Sequence, residues 1–186
     1  MEHSGFGISE TKRAIAGLRV GGIPALVRPP SKEYHHIARA LDIGADGLVL
    51  PMVASKEEAE YIIDCMKYPP EGSRGVALAI AHDHYQPGDP AKVLAATNRR
   101  IACVTLIETD EGIKNIDAIA AVKGVDCLWI GHFDLSCSLG INGQFDHPEF
   151  LKACRAVERA AKKHGKALGR LAGDPAGCIA LYKKGY

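Results

Sequence analysis

Two hydrophobic periods alternate along this chain. Residues 101–107 form an unbroken apolar, β-branched run that stops at Glu108, the pattern of a buried strand. From Thr109 the spacing changes, and apolar Ile113, Ile116, Ile119, Ala120 and Val122 recur at helical intervals behind a Thr/Asp start. Gly124 stops that helix, and residues 125–130 form a second apolar strand leading into the segment Gly131 to Ser136. Strand, helix, strand predicts two parallel neighbours.

The same alternation covers the rest. Helical spacing spans 11–18, a strand spans 23–27 and ends at Arg28-Pro29, and Ser31 caps a helix over 32–41. Asp42 falls at that helix's C-terminal end, where the macrodipole disfavours an anion. Residues 47–50 are a strand closed by Pro51 and Met52, and Ser55 caps a helix over 57–66. Residues 68–90 are irregular, and a loop of that length inside a compact domain is functional or mobile. A helix from Ala91 leads to the central strand. An amphipathic helix over 149–164, a strand over 166–171 and a helix opened by Asp174-Pro175 finish the chain. This predicts a parallel α/β fold in one domain, residues 1–186. Residues 44–51 echo 124–131, and Asp46 and Asp126, at the strand entrances, read as structural.

Composition narrows the function. Basic and acidic residues balance at 23 and 22 among 186, which implies neither a nucleic-acid nor a membrane partner. No apolar run approaches membrane-spanning length. The six cysteines contain no C-x-x-C pair, and Cys103 and Cys127 lie inside apolar strands, as in a reduced, cytoplasmic protein.

The strand ends carry the candidate chemistry. Glu108 and Asp134 both follow parallel strands, so they share one rim of the sheet, where neighbouring strands lie about 4.8 Å apart. Two carboxylates converging there repel unless a proton or a divalent cation sits between them. No Lys or Arg occupies either strand end, which favours the cation. The bland alternative is that Asp134 caps a turn and Glu108 is solvated. The same rim carries His3, Arg28, Met52 and Phe133. For His3 the alternative is a solvated terminal imidazole, for Arg28 a surface ion pair, and for Asp42 a solvated acid. Lys166 opens its strand and sits on the opposite rim, which disfavours a Schiff base and leaves metal-assisted chemistry. Five complete strands and ragged ends, against about 250 residues for an eight-stranded βα barrel, predict a fragment.

Several segments together carry a family resemblance. They are Glu2-His3-Ser4-Gly5, Val27-Arg28-Pro29, Leu41-Asp42-Ile43-Gly44, Leu50-Pro51-Met52, residues 68–75, Ile107-Glu108-Thr109 and residues 131–136. In order and spacing the chain resembles the HpcH/HpaI aldolases, metal-dependent class II enzymes that form pyruvate on a TIM (β/α)8 barrel of the phosphoenolpyruvate/pyruvate-binding type. The resemblance implies that Glu108 and Asp134 hold a divalent cation, Mg²⁺ or Mn²⁺ with Co²⁺ as a third candidate. It implies that the backbone at Phe133 and Asp134 binds the substrate carboxylate and that Arg28 stabilises the enolate oxygen. His3 is then the base at the 4-hydroxyl, and Asp42 raises the basicity of that histidine from a neighbouring subunit of a homo-oligomer, a hexamer in the family pattern. The expected reaction cleaves a 4-hydroxy-2-oxo acid to pyruvate and an aldehyde, or runs in reverse. Two alternatives stay open: a citrate-lyase-β-like cleavage of an acyl-CoA, and a degenerate barrel that binds without turnover. The chain departs from the pattern at Leu106, where many relatives carry a substrate-contacting Gln. Against the family pattern, the barrel's first strand, most of the second, the eighth strand and the final helix are expected to be missing from these 186 residues.

Overall fold

The computed structural model describes residues 1–186, and its helices and strands alternate as the sequence predicts. The backbone divides into two units, Met1–Pro51 with Glu60–Cys103 and Met52–Ala59 with Val104–Tyr186.

In the first unit, α1 (Ile8–Val20) starts where the Glu10 carboxylate accepts the Gly7 N–H at 3.1 Å. β1 is only Leu26–Val27, shorter than the expected 23–27. Pro24 has no N–H to offer a ladder, and the Ala25 N–H goes instead to Asp46 Oδ2 at 2.9 Å. That contact gives Asp46 the structural role its position implied. α2 (Tyr34–Asp42) begins at Glu33 rather than Ser31, because the Ser31 hydroxyl is engaged by His36 Nδ1 at 2.7 Å. β2 (Gly47–Leu50) pairs in parallel with β1, Leu26 opposite Gly47 and Val27 opposite Leu48. Only glycine fits at 47, since a Cβ would come within 2.5 Å of the Ala102 carbonyl oxygen. α3 (Lys56–Met66) leads to the irregular stretch, which holds a single 3₁₀ turn at Ala81–Asp83. α4 (Pro90–Arg100) is capped by Asp89, whose side chain accepts the Lys92 N–H at 2.9 Å.

β3 (Ala102–Ile107) passes from the first unit into the second. The helix expected over 109–122 breaks into α5 (Asp110–Lys114) and α6 (Ile116–Ala120). The break falls at Asn115, whose side-chain amide donates to the Ala54 carbonyl at 2.9 Å. β4 (Cys127–Ile130) runs parallel to β3, with Ile107 opposite Ile130. The next segment is a short helix that the sequence pattern did not predict, α7 (His132–Ser138). α8 (Pro148–His164) ends at Gly165 in the left-handed region, φ 64°. β5 (Ala167–Arg170) continues the sheet beside β4, and α9 (Pro175–Lys183) follows its Asp174 cap. Sheet order equals chain order, β1-β2-β3-β4-β5.

The core of the second unit follows from the periods. α8 buries Phe150, Ala153, Cys154, Val157, Ala160 and Ala161, one face at helical spacing, next to Ile116, Ile119 and Ala120 of α6 and to β4. Leu128 and Ile130 of β4 are fully buried, each such side chain worth about 1.5–3 kcal/mol. The register aligns Leu106, Trp129 and Gly169 across three strands on the face that also carries Glu108. A Cβ on Gly169 would overlap the Trp129 ring, so the indole lies against bare backbone. No helix is long and apolar enough to cross a membrane.

Candidate functional site

In the second unit Glu108 directly follows β3, and Asp134 comes four residues after the end of β4. Since Ile107 pairs with Ile130, Glu108 and Gly131 stand opposite one another. The Glu108 side chain lies across Gly131, where a Cβ would sit 2.5 Å from its Cγ and Oε1. Glu108 is 2% exposed, and its Oε2 accepts the Met52 N–H at 2.8 Å. Met52 donates from a left-handed conformation, φ 53°, a local strain of about 1–3 kcal/mol that surrounding structure must hold. The bland reading of Glu108 as a solvated side chain is therefore wrong.

Asp134 lies in the first turn of α7, exposed, rather than in a strand-end loop. The first intrahelical bond of α7 runs from the Leu135 N–H to the Gly131 carbonyl at 2.9 Å. The N–H groups of His132, Phe133 and Asp134 thus precede the first intrahelical bond. Phe133 is 61% exposed. Its ring lies 4.5 Å from His132 and 5.2 Å from Phe145, centre to centre. Burial, reinforced by the Arg170 charge and opposed by Asp134, lowers the His132 pKa and favours a neutral imidazole. Burial pushes the Cys127 thiol up to about 11, consistent with an inert core cysteine.

No group of three or more His, Cys, Asp or Glu side chains is arranged around a cation position. Glu108 and Asp134 offer hard oxygen donors only. Such a pair fits a cation like Mg²⁺ or Mn²⁺, which keeps waters and takes further oxygens from a substrate.

The first unit carries the remaining candidates. Arg28 Nε donates to the Glu2 carboxylate, and His3 Nε2 stands 3.8 Å from the other Glu2 oxygen. One carboxylate therefore touches both predicted residues. His3 is mostly exposed and, like Met52, left-handed at φ 54°. Asp42 is not merely solvated: its Oδ1 accepts from Arg74 Nη2 at 2.5 Å. Lys166 is structural, its Nζ donating to the Val122 and Val125 carbonyls at 3.3 and 2.8 Å. Glu2, Gly131 and Arg74 lie within segments quoted for the resemblance but had no role assigned in the sequence, and the burial of Arg74 had no signal in the hydrophobic pattern.

A family model described as HpcH/HpaI aldolase/citrate lyase matches residues 1–186. The protein named 5-keto-4-deoxy-D-glucarate aldolase in Shigella boydii is 39% identical over 171 residues, covering 92% of this chain and 66% of that protein. The crystal structure of an HpcH/HpaI aldolase from Desulfitobacterium hafniense DCB-2 is 34% identical with TM-score 0.93, covering 99% of this chain and 71% of that one. An HpcH/HpaI aldolase/citrate lyase family protein from Burkholderia cenocepacia J2315 is 31% identical with TM-score 0.92, covering 100% and 74%. The chain spans 66% of the length of these curated relatives.

Proposed function

The chain belongs to the HpcH/HpaI aldolase/citrate lyase family, and from that premise we propose that it is a metal-dependent carbon–carbon lyase. Its substrate is a 4-hydroxy-2-oxo acid, cleaved to pyruvate and an aldehyde by retro-aldol chemistry or formed in the reverse direction. The observation that carries this reading is the seating of Glu108, a buried carboxylate laid over Gly131 and oriented by the Met52 N–H beside the α7 start. The name of the Shigella relative's activity supports the substrate class. Counted from its nearer carboxylate, 5-keto-4-deoxy-glucarate has its ketone at carbon 2, its deoxy position at carbon 3 and a hydroxyl at carbon 4.

Glu108 and Asp134 would hold the divalent cation, which when bound supplies Lewis acidity toward the carboxylate and 2-oxo oxygens. The backbone at Phe133 and Asp134 would receive the substrate carboxylate, as in the family pattern. Arg28, held at Nε by Glu2, would stabilise the oxygen on which negative charge collects as the C3–C4 bond breaks. His3 takes the 4-hydroxyl proton, and Asp42 supports that histidine from a neighbouring subunit of a homo-oligomer. The protein acts as one (β/α) barrel domain in the cytoplasm, where its six free cysteines would stay reduced.

The test is pyruvate release from 4-hydroxy-2-oxo acids, 5-keto-4-deoxy-glucarate among them, followed through lactate dehydrogenase and NADH. Activity should vanish with EDTA and return with Mg²⁺, Mn²⁺ or Co²⁺. Glu108→Gln and Asp134→Asn should each lose it while keeping the fold. Full activity after chelation would rule out the class II assignment.

A further inference from the structure

Arg74 sits at the end of a tight backbone return. The Arg74 N–H bonds the Lys67 carbonyl and the Ser73 N–H bonds the Asp64 carbonyl, both at 2.9 Å. Gly72 makes the return possible, since a Cβ there would stand 2.5 Å from the Asp64 carbonyl oxygen and 2.6 Å from that of Lys67. These clashes are with backbone atoms, so the turn cannot relax around a side chain. The return sends the Arg74 side chain inward until none of it is exposed. Its guanidinium carbon lies 4.4 Å from the centre of the Tyr68 ring, and Nη2 meets Asp42 Oδ1 at 2.5 Å. Tyr68 is fixed in turn, its hydroxyl 3.2 Å from His82 Nε2. Arg74 Nε and Nη1 are buried without a hydrogen-bond partner.

Such a charge is a poor way to stabilise a fold. An apolar side chain of similar length fills the same space without desolvating a cation. Asp42 is unfavourably placed as well: it is the last residue of α2, facing carbonyl ends that repel an anion. Yet Asp42 keeps 32% of its side chain exposed. The carboxylate is therefore gripped from the buried side and open on the other.

We propose that Arg74 is a positioning residue for Asp42, a buried cation that fixes the carboxylate so that its open side meets the group it serves. This rests on the lyase reading, in which Asp42 supports the histidine base, and adds a residue that reading does not contain.

The experiment compares Arg74→Met, Arg74→Lys, Asp42→Asn and the double variant Arg74→Met/Asp42→Asn with wild type. Melting temperature is measured alongside kcat and KM for Mn²⁺-dependent pyruvate release. Arg74→Met should fold but melt below wild type, since it leaves Asp42 without its counter-charge at the α2 C-terminus, with kcat lowered at least about tenfold and KM changed less than about twofold. Arg74→Lys, a cation without the planar fork, should recover part of kcat. Asp42→Asn should melt below the double variant, because alone it leaves the guanidinium uncompensated, and Arg74→Met should lower kcat no further in that background. Wild-type kcat in Arg74→Met, or equal losses with and without Asp42, overturns the proposal. If Arg74→Met does not fold, Arg74→Lys decides, a wild-type kcat there overturning it. A wild-type protein that releases no pyruvate instead defeats the lyase reading; the melting comparison then stands alone, and additive shifts overturn the coupling.

Discussion

Adding one methyl group at Gly131 should dismantle the candidate metal site without touching either carboxylate. The Gly131 φ of −83° is open to alanine, so Gly131→Ala introduces no backbone strain. The new Cβ would stand 2.5 Å from Glu108 Cγ and Oε1 and 2.9 Å from Cδ. Carbon atoms pack at about 3.5–4.0 Å, so the Glu108 side chain must retreat by roughly 1 Å. That displacement takes Oε2 off the Met52 N–H, now at 2.8 Å, and past hydrogen-bond range. Losing a hydrogen bond to a carboxylate costs about 1.5–3 kcal/mol, and overpacking a core adds about 1–3 kcal/mol. For a chain of this size these costs together lower the melting temperature by roughly 5–20 °C. Mn²⁺ titration followed by calorimetry or electron paramagnetic resonance should show affinity at least about tenfold weaker, a change of about 1.4 kcal/mol. Glu108→Gln separates the two effects, since it keeps the shape, removes the charge and should lose the cation with a smaller melting shift. Unchanged Mn²⁺ affinity in Gly131→Ala, with the melting temperature lowered, would show that Glu108 is not a ligand. No change in either would refute the steric argument itself.

Two further predictions concern the first unit. Arg28→Ala should lower kcat for pyruvate release about 10²–10³-fold with Mn²⁺ affinity unchanged, and Arg28→Lys should recover little, because one ammonium cannot both hold Glu2 and reach the substrate oxygen; a wild-type rate in Arg28→Ala would remove it from the mechanism. His36 is held below its ordinary pKa of 6.5, chiefly by burial and then by His35, with Arg39 adding and Glu33 opposing. The unfolded chain therefore takes the proton first, so stability is complete above about pH 6.5 and declines as the pH falls through the folded value. His36→Asn should flatten the fall in melting temperature between about pH 7.5 and 5, His84 and His132 shifting the same way and leaving a residual slope. Identical slopes in wild type and variant would contradict this.

Wherever one period holds without interruption, the sequence located the element closely. β2 runs over the predicted residues 47–50, and α8 starts one residue before the predicted 149. It failed where a tertiary contact redirects the backbone without altering the hydrophobic spacing. Apolar residues continue through Asn115 as if α5 and α6 were one helix, but the Asn115 amide is claimed by Ala54. Apart from Leu135, α7 is built from His, Phe, Asp, Ser and Cys, weak helix formers. It is tied down by the Ser136 hydroxyl, which donates to the Phe133 carbonyl at 2.7 Å and accepts the Gly143 N–H at 2.9 Å. The site was legible in proportion to how much of it is set by strand ends. Glu108 and Asp134 follow from counting residues out of β3 and β4. The Glu2–Arg28 and Asp42–Arg74 pairs join residues 26 and 32 positions apart, and charge pattern alone does not match such partners.

Trp129 is the sole tryptophan, so the indole emission of the whole protein comes from one ring. That ring rests on bare backbone at Gly169, with Leu106 and Gly169 as its register neighbours, two residues before Gly131. Half-buried and close to the strand-end rim, it senses the local polarity there. Its emission colour and quenching should therefore shift when a cation or a 2-oxo acid occupies that rim, unlabelled and in real time, even in variants that no longer turn over.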